Sequence, residues 1–221
     1  MQALFAFVDT MCRRYKIDES HGLKHAKGTV VRAQAILDSL PDVAEGERRM
    51  AIYAAALHDT CDHKYTDVKE ASLMIDAWLE GAVGWPFEER KALLAIITSM
   101  SYSMLKKMNP VAGLDPRYPD HGKWSRAYHV ARSADVLESY IVARCVLYNQ
   151  HIYPSWTEDQ HWIRAEDLFK GRVFQYRHER WLQIPEAVKQ SIQLEEEAIR
   201  CLKERDMSWE EPVLESIQTP K

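Results

Sequence analysis

The chain has 221 residues, 46% of them apolar and 28% charged, with a formal net charge of −4. That supports one sizeable core, excludes a disordered or fibrous chain, and argues against a dedicated nucleic-acid surface. No apolar run approaches the roughly 20 residues of a membrane span, and Met1 to Arg14 has neither a basic leader region nor a small-residue cleavage site, so a cytoplasmic protein with no membrane partner is expected.

Glycine (8) and proline (9) are sparse, and apolar residues recur at helical spacing. The expected fold class is therefore all-α, a single-domain helical bundle over residues 1–205 with its core in 18–150 and a polar tail at 206–221. A first helix is predicted from Gln2 to Tyr15 on the stripe Leu4, Phe5, Val8, Met11 and Cys12. Ser20 is the expected N-cap of a second, from about His21 to Leu40. Pro41 and Gly46 mark the loop before a third, about Glu47 to His58, which is almost wholly apolar after Arg49 and is expected at the centre of the core.

Thr66 or Asp67 should cap a fourth helix ending at Gly81. Trp85-Pro86 opens a fifth, running to about Met100 and ending near Ser101-Tyr102-Ser103. Asn109 to Lys123 is the longest predicted loop, a length that often serves as a lid. Trp124 to Gln150 reads as one long helix, Pro154 to Glu158 as a turn, and Glu158 to Leu182 as a helical stretch broken near Gly171. Pro185 starts a last helix, to about Glu204. The four cysteines (Cys12, Cys61, Cys145, Cys201) are far apart with no CxxC pair, so buried reduced thiols are expected and a zinc finger is not.

The chemically dense stretch is Leu57-His58-Asp59-Thr60-Cys61-Asp62-His63-Lys64 at the end of the alanine-rich third helix. An imidazole beside a carboxylate offers a divalent cation two ligand types. On a continuing helix His58 and Asp59 lie about 100° apart with Asp62 between them. The alternative is a helix end with both side chains turned to water. Two other places offer ligands. His21 and His25 are one turn apart on the second helix, or are simply an exposed pair. Asp135 borders the apolar stripe Val130, Ala134, Leu137 and Ile141, where it must be coordinated, exposed or paired with Arg132.

In this order these residues resemble the HD superfamily of metal-dependent phosphohydrolases, whose pattern reads H…HD…D along a helical bundle. His21, His25 and Ala33 fit its early H-D-x-x-H-x-x-R-V-x-x-x-A segment. His58-Asp59 is the doublet, and Asp62 stands where relatives have the carboxylate of H-D-x-x-[ED]. Ala134-Asp135-Val136-Leu137-Glu138 with Arg144 matches the last motif, and Ile96 to Ser103 looks like the I-x-x-x-S-[FY]-S segment of the small stand-alone members. The likeness spans about Asp18 to Arg144. Gly28 and Thr29 stand in place of the usual Arg-Val, and Ser133 in place of the first Asp of the last motif.

The resemblance implies a helical domain of the HD type and metal ligands His25, His58, Asp59 and Asp135. It implies one divalent ion, Mn²⁺ or Mg²⁺ first and Fe²⁺, Zn²⁺ or Ni²⁺ as alternatives. Four ligands leave two octahedral positions for water or substrate. Asp62 is the expected catalytic acid or base. His21, His63, Lys64 and Arg132 are the expected substrate contacts, with Lys106 and Lys107 behind them. Lys64 otherwise reads as a solvated helix end. Of the histidines that could serve a second metal (His63, His121, His129), His129 is expected to point elsewhere. The implied partner is a small phosphorylated molecule, a nucleotide first, and a homodimer is an open alternative. A (p)ppGpp-type pyrophosphohydrolase is the nearest enzymatic alternative, although its H-D-x-x-E-D pattern meets Asp62-His63 here. A non-catalytic ligand-binding module of the same fold is the other.

Overall fold

The computed structural model describes residues 1–109 and 116–214, in which every regular element is a helix. Helix α1 (Gln2–Tyr15) buries the predicted stripe and is closed by Lys16 in the left-handed conformation, its N–H bonded to the Cys12 carbonyl. Helix α2 is Leu23–Ser39 and α3 is Glu45–Leu57. Asp67 caps α4 (Val68–Trp78), accepting from the N–H groups of Lys69 and Glu70. A π turn, Leu79–Val83, carries that helix past Gly81 to Gly84, whose φ of 72° suits glycine. Helix α5 is Phe87–Ser99.

The rest of the chain differs in places from the sequence reading. Ser101 caps a short α6 (Tyr102–Met108), a helix the sequence reading did not include. The expected single helix from Trp124 to Gln150 is two, α7 (Ser125–Glu138) and α8 (Val142–Ile152). The break at 139–141 has no Gly or Pro. It falls where Leu137 belongs to one buried cluster and Tyr140 and Val142 to another, so the chain turns to serve both. Thr157 and Gln160 form a capping box for α9 (Glu158–Leu168). A π turn over Phe169–Val173 contains Gly171 and leads to a short α10 (Gln175–His178). Helix α11 is Pro185–Glu204, as predicted. Of the expected lid, residues 110–115 lie outside the described residues, as do 215–221 of the tail.

Helices α2, α3 and α7 are the most closely packed trio. Small residues make this possible: Ala33 on α2, Ala51, Ala54 and Ala55 on α3, and Ala131 and Ala134 on α7 are fully buried. Gly28 on α2 faces the buried Glu138 of α7, and a Cβ there would lie 2.3 Å from the Glu138 carboxylate. The first cluster is built mainly on α1 to α5 and α7 with Ala187 of α11, the second on α8 to α11 with Leu105 of α6, and Val136 and Leu194 pack against both. All four cysteines are buried and unpaired. Among the described residues no helix is long and apolar enough to cross a membrane.

Candidate metal centre and its pocket

The packed trio brings three expected ligands together. His25 sits in the first turn of α2, His58 follows the last residue of α3, and Asp135 lies in the last turn of α7. Each offers a ligand atom within 4.8 Å of the others. The Nε2 atoms of His25 and His58 are 3.3 Å apart, and Asp135 Oδ1 is 3.4 Å from each of them. The fourth expected ligand, Asp59, brings Oδ2 to 3.2 Å from His25 Nε2 and 3.3 Å from His58 Nε2.

The doublet reaches this point by a different route from the one predicted. The α-helix stops at Leu57, and His58–Cys61 is a 3₁₀ turn with Asp62 extended after it. The tighter turn sends His58 and Asp59 to one centre and takes Asp62 off the arc between them. The N-terminal side also differs. Helix α2 begins after Gly22, and a 3₁₀ turn spans Glu19–His21. Ser20 is not a helix cap, because its hydroxyl is engaged with Asp18 and His21.

The donor set fits a cation. Asp59 Oδ2 is buried with no hydrogen-bond partner among the described residues, although two imidazole nitrogens lie close by. The Nδ1 of His58 is 2.9 Å from the Ala55 carbonyl, which can only accept. Nδ1 therefore carries the proton, and Nε2 presents its lone pair to the centre. Buried groups of this kind persist when paired or coordinated. Burial opposes charge on His58, but Asp59 and Asp135 outweigh it and hold the imidazole well above its ordinary pKa. Burial likewise opposes charge on Asp59 and Asp135. The coulombic pull of His58 and the close approach of both imidazoles keep the two carboxyls well below the usual carboxylate range. In the absence of a metal, a proton fills the same need.

His21 lies beside this centre, its ring 6.1 Å from that of His25 in a T-shaped contact. Its Nδ1 is 2.7 Å from Ser20 Oγ and 2.9 Å from Tyr65 Oη. The Tyr65 hydroxyl donates to Asp18 at 2.8 Å, and that of Ser20 donates to the same carboxylate. Both hydroxyl protons are thus spent, so His21 Nδ1 is the donor and Nε2 is unprotonated. Burial holds the His21 pKa down, against the hydrogen bond to Asp18. Asp18 itself is held below the usual range because those three hydrogen bonds outweigh its burial.

A cavity of about 440 Å³ opens over the centre, within the range of small-molecule sites. His21, His58, Asp59, Asp62, His63, Lys64, Arg132 and Asp135 all line it. Asp62 accepts from the Lys64 backbone N–H at 2.9 Å and pairs with His63 at 3.1 Å, so its carboxylate braces its own loop. His63 and Lys64 are exposed at the rim. Arg132 makes no ion pair with Asp135 among the described residues. It is buried, with Nη1 2.5 Å from the Trp181 carbonyl. His129 contacts Tyr118 and Tyr128 rather than the cavity, and His121 bonds Ser99 at 3.0 Å. Arg172, Tyr102, Tyr176 and Trp181 complete the wall. Sequence reasoning gave the last three and Arg172 no role; only the Ser-Tyr-Ser segment pointed toward Tyr102. No family model, curated protein or solved structure matches the chain.

Proposed function

We propose that the protein is a metal-dependent phosphohydrolase of the HD type, acting on a small phosphorylated molecule, with a nucleotide as the first candidate. The observation that carries the reading is the convergence of His25, His58 and Asp135 from three helices, with Asp59 Oδ2 orphaned among them. In this reading the four side chains hold one divalent ion. Mn²⁺ and Mg²⁺ suit the two oxygens, while the two imidazoles admit Fe²⁺, Zn²⁺ or Ni²⁺. When bound, such an ion acidifies a coordinated water and neutralises a phosphoryl oxygen.

The remaining roles belong to the chain itself. Asp62 lines the same cavity and is the candidate proton acceptor or donor at the reacting oxygen. Lys64 and His63 at the rim and His21 beside the centre are candidate contacts for substrate. The Ala55 carbonyl keeps His58 in the tautomer a cation requires.

The test is to strip the protein with chelator, restore each metal in turn, and follow phosphate and pyrophosphate release from a nucleotide panel. Turnover that depends on the added metal is expected. A protein that binds metal but hydrolyses no member of the panel would contradict the reading.

A further inference from the structure

Three of the arginines that line the cavity have no carboxylate partner among the described residues. Several arginines outside the cavity are paired with acids, such as Arg14 with Glu70 at 2.6 Å, Arg49 with Glu89 at 2.6 Å, and Arg90 with Asp76 at 2.8 Å, although Arg164 lies over Tyr153 and Trp156 instead. Arg132, Arg144 and Arg172 line the cavity, and none has a carboxylate within ion-pair distance among the described residues.

Aromatic faces and single neutral oxygens hold these three instead. Arg172 lies over the Tyr102 ring, 3.8 Å from its centroid, with Nε 2.5 Å from Tyr176 Oη. Arg132 is stacked between Tyr118 and Trp181, at 4.7 and 5.5 Å. Arg144 gives Nε to the Ser20 carbonyl at 2.7 Å. A guanidinium has five N–H donors, and stacking occupies none of them. Arg132 is 2% exposed, and its Nε has no hydrogen-bond partner among the described residues.

Desolvated cations need a counter-charge, and the planar fork of a guanidinium matches the oxygens of a phosphoryl group. One phosphate monoester carries at most two negative charges, fewer than three arginines supply. The carboxylate and imidazole end of the cavity would engage a different phosphoryl group through its cation.

We propose that Arg132, Arg144 and Arg172 form an anion site for a second phosphoryl group, so that the substrate is a phosphoanhydride or bisphosphate rather than a simple monoester. This rests on reading the cavity as a phosphohydrolase site. Its binding half can nevertheless be measured without metal or turnover. Arg172 is the residue to vary: it is half-buried and stacked on rings, whereas loss of the buried Arg132 endangers the fold.

The experiment is calorimetry of chelator-treated protein with inorganic phosphate, inorganic pyrophosphate and a nucleoside diphosphate. Wild type, Arg172→Met and Arg172→Lys are compared, each checked by circular dichroism. Pyrophosphate should bind about tenfold or more tighter than phosphate. Arg172→Met should lose about that factor, Arg172→Lys should lose less, and Mn²⁺ affinity should be the same in all three. A nucleoside diphosphate tighter than pyrophosphate would place the organic group in the cavity too. Equal affinity for phosphate and pyrophosphate, or an Arg172→Met protein that binds pyrophosphate like wild type, overturns the proposal. Pyrophosphate binding that depends on Arg172, in a protein with no metal-dependent turnover, would keep the anion site and remove only the phosphohydrolase reading.

Discussion

His25 and His58 face each other Nε2 to Nε2 at 3.3 Å, between the start of the second helix and the end of the third. A hydrogen or a cation between the two nitrogens relieves the repulsion of their lone pairs. With Asp59 and Asp135 drawn in beside them, the choice is a proton or a metal ion.

That choice has a measurable consequence. Asp59 and Asp135 raise the His58 pKa well above its ordinary value, which favours a proton on the metal-free centre. Binding a divalent ion at pH 7 should release about one proton. Calorimetry of Mn²⁺ binding in buffers of different ionisation enthalpy reads this directly, and a heat independent of buffer would contradict it.

The same shift fixes the sign of the pH dependence without metal. A raised His58 contributes stability that is complete below its unfolded pKa of about 6.5 and is lost as pH climbs through the folded value. Depressed Asp59 and Asp135 contribute stability present above about pH 4 and lost on acidification through their folded values. Urea unfolding in chelator should therefore show stability falling on the alkaline side, and added Mn²⁺ should flatten that fall.

His129 gives a second, independent slope. Burial, then Arg132 and His121, push its pKa down to about 4. The unfolded chain takes up this proton near pH 6.5 and the folded chain does not, so stability falls as pH drops from about 6.5 towards 4. His129→Gln should remove about 1 kcal/mol of the loss between pH 6.5 and 5, a figure reduced for the residue's partial exposure. Urea midpoints at pH 7, 6 and 5 compare the two proteins.

Gly28 is held to glycine by Glu138, whose carboxylate would lie 2.3 Å from an added Cβ. Glu138 is 3% exposed and tied to Arg32 at 3.2 Å, so it cannot simply swing away. Gly28→Ala should cost about 1–3 kcal/mol by overpacking. Combined with Glu138→Ala it should cost less than the two changes summed. Strict additivity of the urea-unfolding energies would show that the contact does not matter.

The helical order and the His58-Asp59 doublet were legible because both rest on short-range signals, whereas His25 and Asp135 were assigned as ligands only by the resemblance. Apolar residues at helical spacing marked α1, α3 and α11, and an adjacent His-Asp marked a ligand pair at the end of a buried helix. The break between α7 and α8 was not legible, because Ser139, Tyr140 and Ile141 carry no breaker and the turn is imposed by two separate clusters. The 3₁₀ turn that aims Asp59 was hidden for the same reason: nothing local distinguishes it from one more helical turn. Arg172 and Trp181 were missed because a π turn and a loop carry them to the cavity from a region with no recognisable motif. Gly28, a departure from the family pattern, became intelligible only when Glu138 was seen packed against it.

The central claim is that the His-Asp cage binds a divalent ion and that Asp62 serves the chemistry rather than the cage. Mn²⁺ titration of the wild type, Asp59→Ala and Asp62→Ala, paired with turnover of the best substrate from the nucleotide panel, separates the two roles. Wild type should bind one ion, Asp59→Ala should bind it at least about tenfold more weakly, and Asp62→Ala should keep the ion while losing turnover by about 10²-fold or more. An Asp59→Ala protein that binds Mn²⁺ like wild type, or an Asp62→Ala protein with full turnover, would contradict the account.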